Sequence, residues 1–144
     1  MANWYDKYLS IYGKSLGEIP DNVREEIKGK LATKQSAEPL ISIVVIAYNE
    51  EKRLAACLWS LSELQTKYPV EILGVNNNSK DRTEEVYQRL GLPYFNEMKQ
   101  SPGFARQCGL EHAKGNDNEA ITLYNKVTDV NPFQMDAYRE RGKL

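Results

Sequence analysis

The chain has 144 residues, enough for one ordinary domain with its own core but short for an enzyme with separate donor and acceptor sites. Its 19 Lys and Arg against 20 Asp and Glu leave no basic face for nucleic acid or an anionic membrane. The longest apolar run, residues 40–48, falls well short of the roughly 20 residues of a membrane span, and the polar start MANWYDKY is no signal peptide, so a soluble, cytoplasmic protein is expected.

Residues 1–39 read as a helical extension and linker. NWYDKYLSIY places Trp4, Tyr8, Leu9 and Tyr12 on one side, and DNVREEIKGKL spaces Val23, Ile27 and Leu31 by four. Pro20 opens the second helix, and the polar ATKQSAEP predicts a linker over 32–39. LISIVVIAY is then a nearly unbroken β-branched run, the pattern of a central parallel strand buried on both faces. Leu54, Cys57, Leu58, Leu61 and Leu64 recur at helical spacing behind the acidic pair Glu50 and Glu51. VEILGV predicts a second strand, Asp81 with Glu84 a capping box for DRTEEVYQRL, and Gly91 its stop. LPYFNE is a short third strand, after which Ser101 and Pro102 open a helix running to Gly115. This βαβαβα order predicts right-handed crossovers and a doubly wound parallel sheet in the order 3-2-1.

Ligands of such sheets bind beyond the carboxyl ends of the strands, where the order reverses. AYNEE (47–51) and NNNSKDRT (76–83) fall there. Tyr48 offers a flat ring for a base to stack on, and Asn76, Asn77 and Asn78 offer amides suited to a pyrimidine edge or a ribose. The same asparagines suit a tight turn, because Asn tolerates left-handed backbone and caps helices. Other nucleotide motifs fail: Gly13, Lys14 and Ser15 imitate the end of a P-loop, but Tyr8 stands where its first glycine is required, and no GxGxxG occurs. His112, the only histidine, reads as a solvated helix residue, and Cys57 and Cys108 as reduced core thiols with no metal-ligand spacing.

The runs SIVVIAYNEEKRLAACLWSL, EILGVNNNSKDRTEEV and SPGFARQCGLEHAKG, in this order and spacing, resemble the N-terminal half of a family 2 glycosyltransferase with the GT-A fold, over about 41–115. The extension before 41 also resembles that of certain bacterial members. The resemblance implies a Rossmann-like nucleotide-sugar-binding half-domain at 40–115. In it Ala47, Tyr48, Asn49 and Glu50 lie against the nucleobase, and Asn76, Asn77, Asn78 and Ser79 match the segment usually written Asp-Asp-Gly-Ser. Both acids have become Asn here, which keeps hydrogen bonding and removes charge. Arg106 matches the Arg of the family's Gly-x-Ala-Arg segment, a candidate for the donor diphosphate or for a salt contact to a structural Glu.

Family members continue into a fourth strand that closes with Asp-x-Asp, whose carboxylates hold a divalent metal, Mn or Mg, on the donor diphosphate. No such strand is evident after Gly115. Asp117 and Glu119 read as the start of a helix, so no metal ligand, no catalytic residue and no bound cofactor are expected in this chain, and the family's later catalytic acid has no room. Residues 116–144 instead resemble a tetratricopeptide-repeat helical hairpin. Ala120, Tyr124 and Val127 share a face, and the roughly 34-residue period of that repeat carries Ala120 back to Phe104 and Cys108 and forward to Tyr138 and Gly142. The fold expected is therefore a truncated GT-A half-sheet with helices at both ends. The leading function is weak binding of a nucleotide-sugar donor without transfer. The alternatives are a protein-interaction module capturing a partner through 102–144, or a fusion without catalytic function. An unpaired strand over 41–48 would be an edge, open to homodimer formation or to cover by a terminal segment.

Overall fold

The computed structural model describes residues 3–115, 120–125 and 135–140. Asn3 caps α1 (Trp4–Ile11) by accepting the Asp6 N–H at 2.8 Å, and a single 3-10 turn, Leu16–Glu18, leads to α2 (Asp21–Lys34). The α/β unit follows as β1 (Ile41–Ala47), α3 (Leu54–Ser62), β2 (Val70–Asn76), α4 (Thr83–Arg89), β3 (Tyr94–Asn96) and α5 (Pro102–His112), with strands β4 (Ala120–Asn125) and β5 (Met135–Glu140) after it. The sheet runs β3-β2-β1-β4-β5. The parallel 3-2-1 order expected from the sequence forms its first half, with Ile41 opposite Val70 and Ala47 opposite Asn76.

Alternation along β1 and β2 divides the core between the two faces of the sheet. Ile43, Val45 and Ile72 meet α3, α4 and the N-terminal helices, while Val44, Ile46 and Val75 meet Ala105 and Cys108 of α5. Cys57 and Cys108 are thus free thiols in different clusters. On the first face α3 is covered twice. Its heptad-like stripe faces the sheet, and Trp59 lies 5.5 Å from the ring of Trp4 and 6.4 Å from that of Tyr8, so eight of its nine residues are buried. Tyr8, Ile11, Leu16, Ile19, Ile27 and Leu31 join that core, making the extension a third layer. Three glycines are demanded by contact: a Cβ on Gly74 would come within 2.3 Å of the Tyr87 ring, one on Gly109 within 2.3 Å of Val44, and one on Gly115 within 2.7 Å of Ser42.

Four expectations change. The linker over 32–39 is partly helix, since α2 continues to Lys34, and Gln35 then acts as a surrogate strand. Its side-chain amide accepts the Ile72 N–H at 2.8 Å and donates to the Ile72 carbonyl at 3.0 Å, while the Ser36 N–H donates to Val70 O. This covers the part of the β2 edge that three-residue β3 does not reach. The capping box at α4 is absent: Asp81 accepts from the Thr83 N–H at 2.9 Å and its hydroxyl at 2.5 Å, and Glu84 instead takes hydrogen bonds from Tyr94 and Asn96.

The C-terminal helices are the third correction. Residues 120–125 are a strand parallel to β1, Ser42 opposite Ala120 and Ile46 opposite Tyr124, and 135–140 return antiparallel to it, so the described part of 116–144 is no repeat hairpin. Ile121, Thr122 and Tyr124 favour a pleated strand, and a six-residue run is too short for its period to tell helix from strand. Asp117, Glu119, Val127 and Gly142 lie outside the described residues. Fourth, β1 is paired on both sides, by β2 and β4, so it is no edge and the basis for a homodimer through 41–48 disappears.

Candidate functional site

The carboxyl ends of β1 and β2 meet where Ala47 pairs with Asn76, and the Asn77 N–H donates to Ala47 O at 2.9 Å. The two loops that leave this point are stapled to each other. The Asn49 N–H donates to Ser79 Oγ at 2.9 Å and the Lys80 N–H to Asn49 Oδ1 at 2.8 Å. One step outward, the Glu51 N–H reaches Asp81 at 3.3 Å and the Arg82 N–H reaches Glu51 at 3.1 Å. Asn49 and Asn78 both hold positive φ, 52° and 59°, the left-handed region that Asn accepts more readily than most side chains.

These bonds separate the expected site residues into two kinds. Glu50 is 1 % exposed, donates its N–H to Thr83 Oγ1 at 2.7 Å and pairs with Arg53 at 3.0 Å, so it braces the start of α3. Asn76 donates to Asn96 Oδ1 at 2.9 Å, and Asn96 donates to Glu84 at 3.1 Å; this relay turns Asn76 towards α4 and encloses its side-chain oxygen. Asn77 spends both amide protons on the carbonyls of Glu97 and Lys99, fixing the loop into α5. Asn49 and Ser79 staple the loops. Tyr48 and Asn78 are half-buried, and their side chains have no hydrogen-bond or ring partner among the described residues. Arg106 is half-buried on α5, next to core residue Ala105. Ser101 opens that helix by accepting the Phe104 N–H at 3.1 Å.

Sequence reasoning missed Asp81, Thr83, Glu84 and Asn96 as the parts that fix these loops. It also missed Asn125, the last residue of β4, which lies one step beyond the Ile46 and Tyr124 pair and so at the same end of the sheet. The apolar, β-branched run AITLY before it was the available signal.

A model of the family described as Glycosyl transferase family 2 matches residues 42–124, more than half of the chain. The chain belongs to glycosyl transferase family 2. The glycosyltransferase AglE of Haloferax volcanii is 30% identical over 87 residues, covering 56% of this chain and 29% of its own length. The dolichyl-phosphate beta-glucosyltransferase ALG5A of Trichomonas vaginalis is 36% identical over 92 residues, 55% of this chain and 28% of its own. The chain therefore spans less than a third of these relatives. Among solved structures, the mannosyltransferase PcManGT of Pyrobaculum calidifontis, in complex with GDP-Man and Mn2+, superposes with a TM-score of 0.52 at 18% identity, over 72% of this chain and 35% of that one. Glucosyl-3-phosphoglycerate synthase of Mycobacterium tuberculosis, in complex with UDP, gives 0.53 at 20% identity, over 79% and 42%. The fold is a partial Rossmann-like GT-A fold.

This family 2 chain has the fourth strand, β4, at whose end the family's Asp-x-Asp motif is expected. It ends at Asn125, and the sequence continues with Lys126 and Val127, so no carboxylate stands at 125–127. Among the described residues no three His, Cys, Asp or Glu side chains gather to hold an ion. An amide, a cation and an aliphatic side chain do not make the hard oxygen donor set that Mn or Mg requires. The residues at 125–127 therefore do not fit the family's metal. No helix of the described residues is long and apolar enough to cross a membrane.

Proposed function

We propose that this family 2 chain binds the nucleotide of a sugar donor at the carboxyl ends of β1 and β2. Tyr48, just beyond the buried end of β1 at Ala47, forms the surface for the base, Asn78 is the free amide, and Arg106 is the candidate for the diphosphate. Asn49, Glu50, Asn76, Asn77 and Ser79 hold the shape of the pocket rather than the ligand. The observation that carries the reading is the contrast within one loop pair: almost every polar side chain is committed to its neighbours, while Tyr48 and Asn78 are left over. Half-buried polar side chains are normally satisfied, so these two at a strand-order reversal, unlike the enclosed Asn76 Oδ1, which also lacks a partner, mark where a ligand supplies the missing contacts. The nucleotides in the solved complexes of the mannosyltransferase and the synthase support the choice of ligand class.

Transfer by this chain with a metal at the end of β4 is not part of the reading, because neutral and cationic groups at 125–127 cannot grip the ion that would neutralise a departing diphosphate. Titration with UDP and GDP, followed through backbone amide resonances, should move Tyr48 and Asn78 with weak affinity. Added Mg2+ should change that affinity by less than twofold. Signals at Tyr48 and Asn78 that stay still at millimolar nucleotide refute nucleotide binding, and a tenfold gain with Mg2+ refutes the metal-free part.

A further inference from the structure

We propose that the pocket between the N-terminal extension and α4 is a second binding site, separate from the nucleotide site and suited to a phosphorylated sugar or polyol. Its cavity of about 210 Å³ is walled by Gly17 of the 3-10 turn, Arg24 of α2, Glu51, and Arg82, Glu85 and Arg89 at the two ends of α4. That volume is many times what a single water needs and leaves room for a phosphate and a few hydroxylated carbons.

Three arginines line the cavity, two from opposite ends of one helix and one from another. Arg24 is held in place by donating to Leu16 O at 2.8 Å, with Asp21, almost fully exposed, as its ion-pair partner. Arg89 pairs with Glu85 at 3.4 Å in a half-exposed contact. Arg82 is different. Its backbone N–H takes the Glu51 carboxylate, but its guanidinium has no partner among the described residues, although two carboxylates line the same space. The lining carries three positive against two negative side chains, Asp21 offsetting Arg24 from outside it, and a guanidinium fork matches phosphate oxygens two at a time. Glu51 and Glu85 are then placed to accept hydroxyl protons, which a bare anion would not offer. None of Ala47, Tyr48, Asn76, Asn77, Asn78 or Ser79 lines this cavity, so the two sites have separate walls.

The arginine Nε–Hε resonances of the whole chain, titrated at constant ionic strength with inorganic phosphate, glucose 6-phosphate and glucose, test the assignment. Glucose 6-phosphate should shift Arg82 and bind at least tenfold more tightly than phosphate, and glucose should leave it unmoved. Arg82→Gln and Arg89→Gln, both at exposed positions, should each weaken glucose 6-phosphate about tenfold while the UDP response of Tyr48 stays as in the parent. Equal affinity for phosphate and glucose 6-phosphate overturns the sugar or polyol class. An unmoved Arg82, or unchanged affinity in Arg82→Gln, overturns the site itself, whatever UDP does at Tyr48.

Discussion

Two residues show how closely packing constrains single positions here. Tyr87 is completely buried and its hydroxyl donates to Val45 O at 2.9 Å, with Val75 O at 3.3 Å, so the ring cannot slide away from Gly74 beneath it. Gly74→Ala should cost about 1–3 kcal/mol, the range of overpacked cores, read as a lower urea midpoint with an unchanged slope. Cys57 tests burial from the chemical side. Desolvation, and then the negative charge of Glu50, push its thiol up to about 12. The folded chain holds this proton more tightly than the unfolded one, so the contribution to stability is full below the ordinary thiol range and fades as pH rises from about 9 towards 12. At pH 8 a disulfide reagent should leave Cys57 unmodified in the native protein and modify it fully in urea; native labelling would contradict the packing of α3.

At the scale of elements, short β3 depends on neighbours. It has three residues, and what fixes it is a side-chain relay in which Glu84 of α4 accepts from Tyr94 at 2.7 Å and from Asn96 at 3.1 Å. Those two hydrogen bonds, Tyr94 first, hold the Glu84 carboxyl below its usual range. A lowered carboxyl stabilises the fold above the ordinary carboxylate range and loses that contribution as pH falls through its folded value. Wild type should therefore lose more stability than Glu84→Gln between pH 5 and 3, in urea midpoints taken at each pH. The effect will be small, because water still screens a half-buried carboxylate at the surface. Equal pH dependence in the two proteins would remove Glu84 from the account of β3.

Across the whole molecule the N-terminal extension decides whether the sheet is covered. α3 presents Trp59 to Trp4 and Tyr8 of α1, and Ile11, Ile27 and Leu31 of the two N-terminal helices join the same buried core. Deleting residues 1–39 would bare that face and also remove the Gln35 amide from the β2 edge. The shortened chain should bind a hydrophobic dye and lose its cooperative urea transition, whereas an independent 40–115 domain would unfold as sharply as the parent.

The amino-acid sequence by itself determined the parts whose signal is local and periodic: the β-branched run of β1, the apolar stripe of α3, the cap of Ser101 and the stop at Gly91, and from their order the parallel 3-2-1 sheet. It also placed Tyr48 and the asparagines at the strand ends. What only the tertiary structure decided was pairing. AITLYN suits helix or strand until β1 offers it a partner, and Asn49, Asn76, Asn77, Asn78 and Ser79 carry similar polar groups until the fold commits four of them to one another, to Asn96 and to the loop into α5, leaving Asn78 over. The reason is that hydrogen-bond partners distant in sequence leave no periodic trace, while a buried polar group must find one.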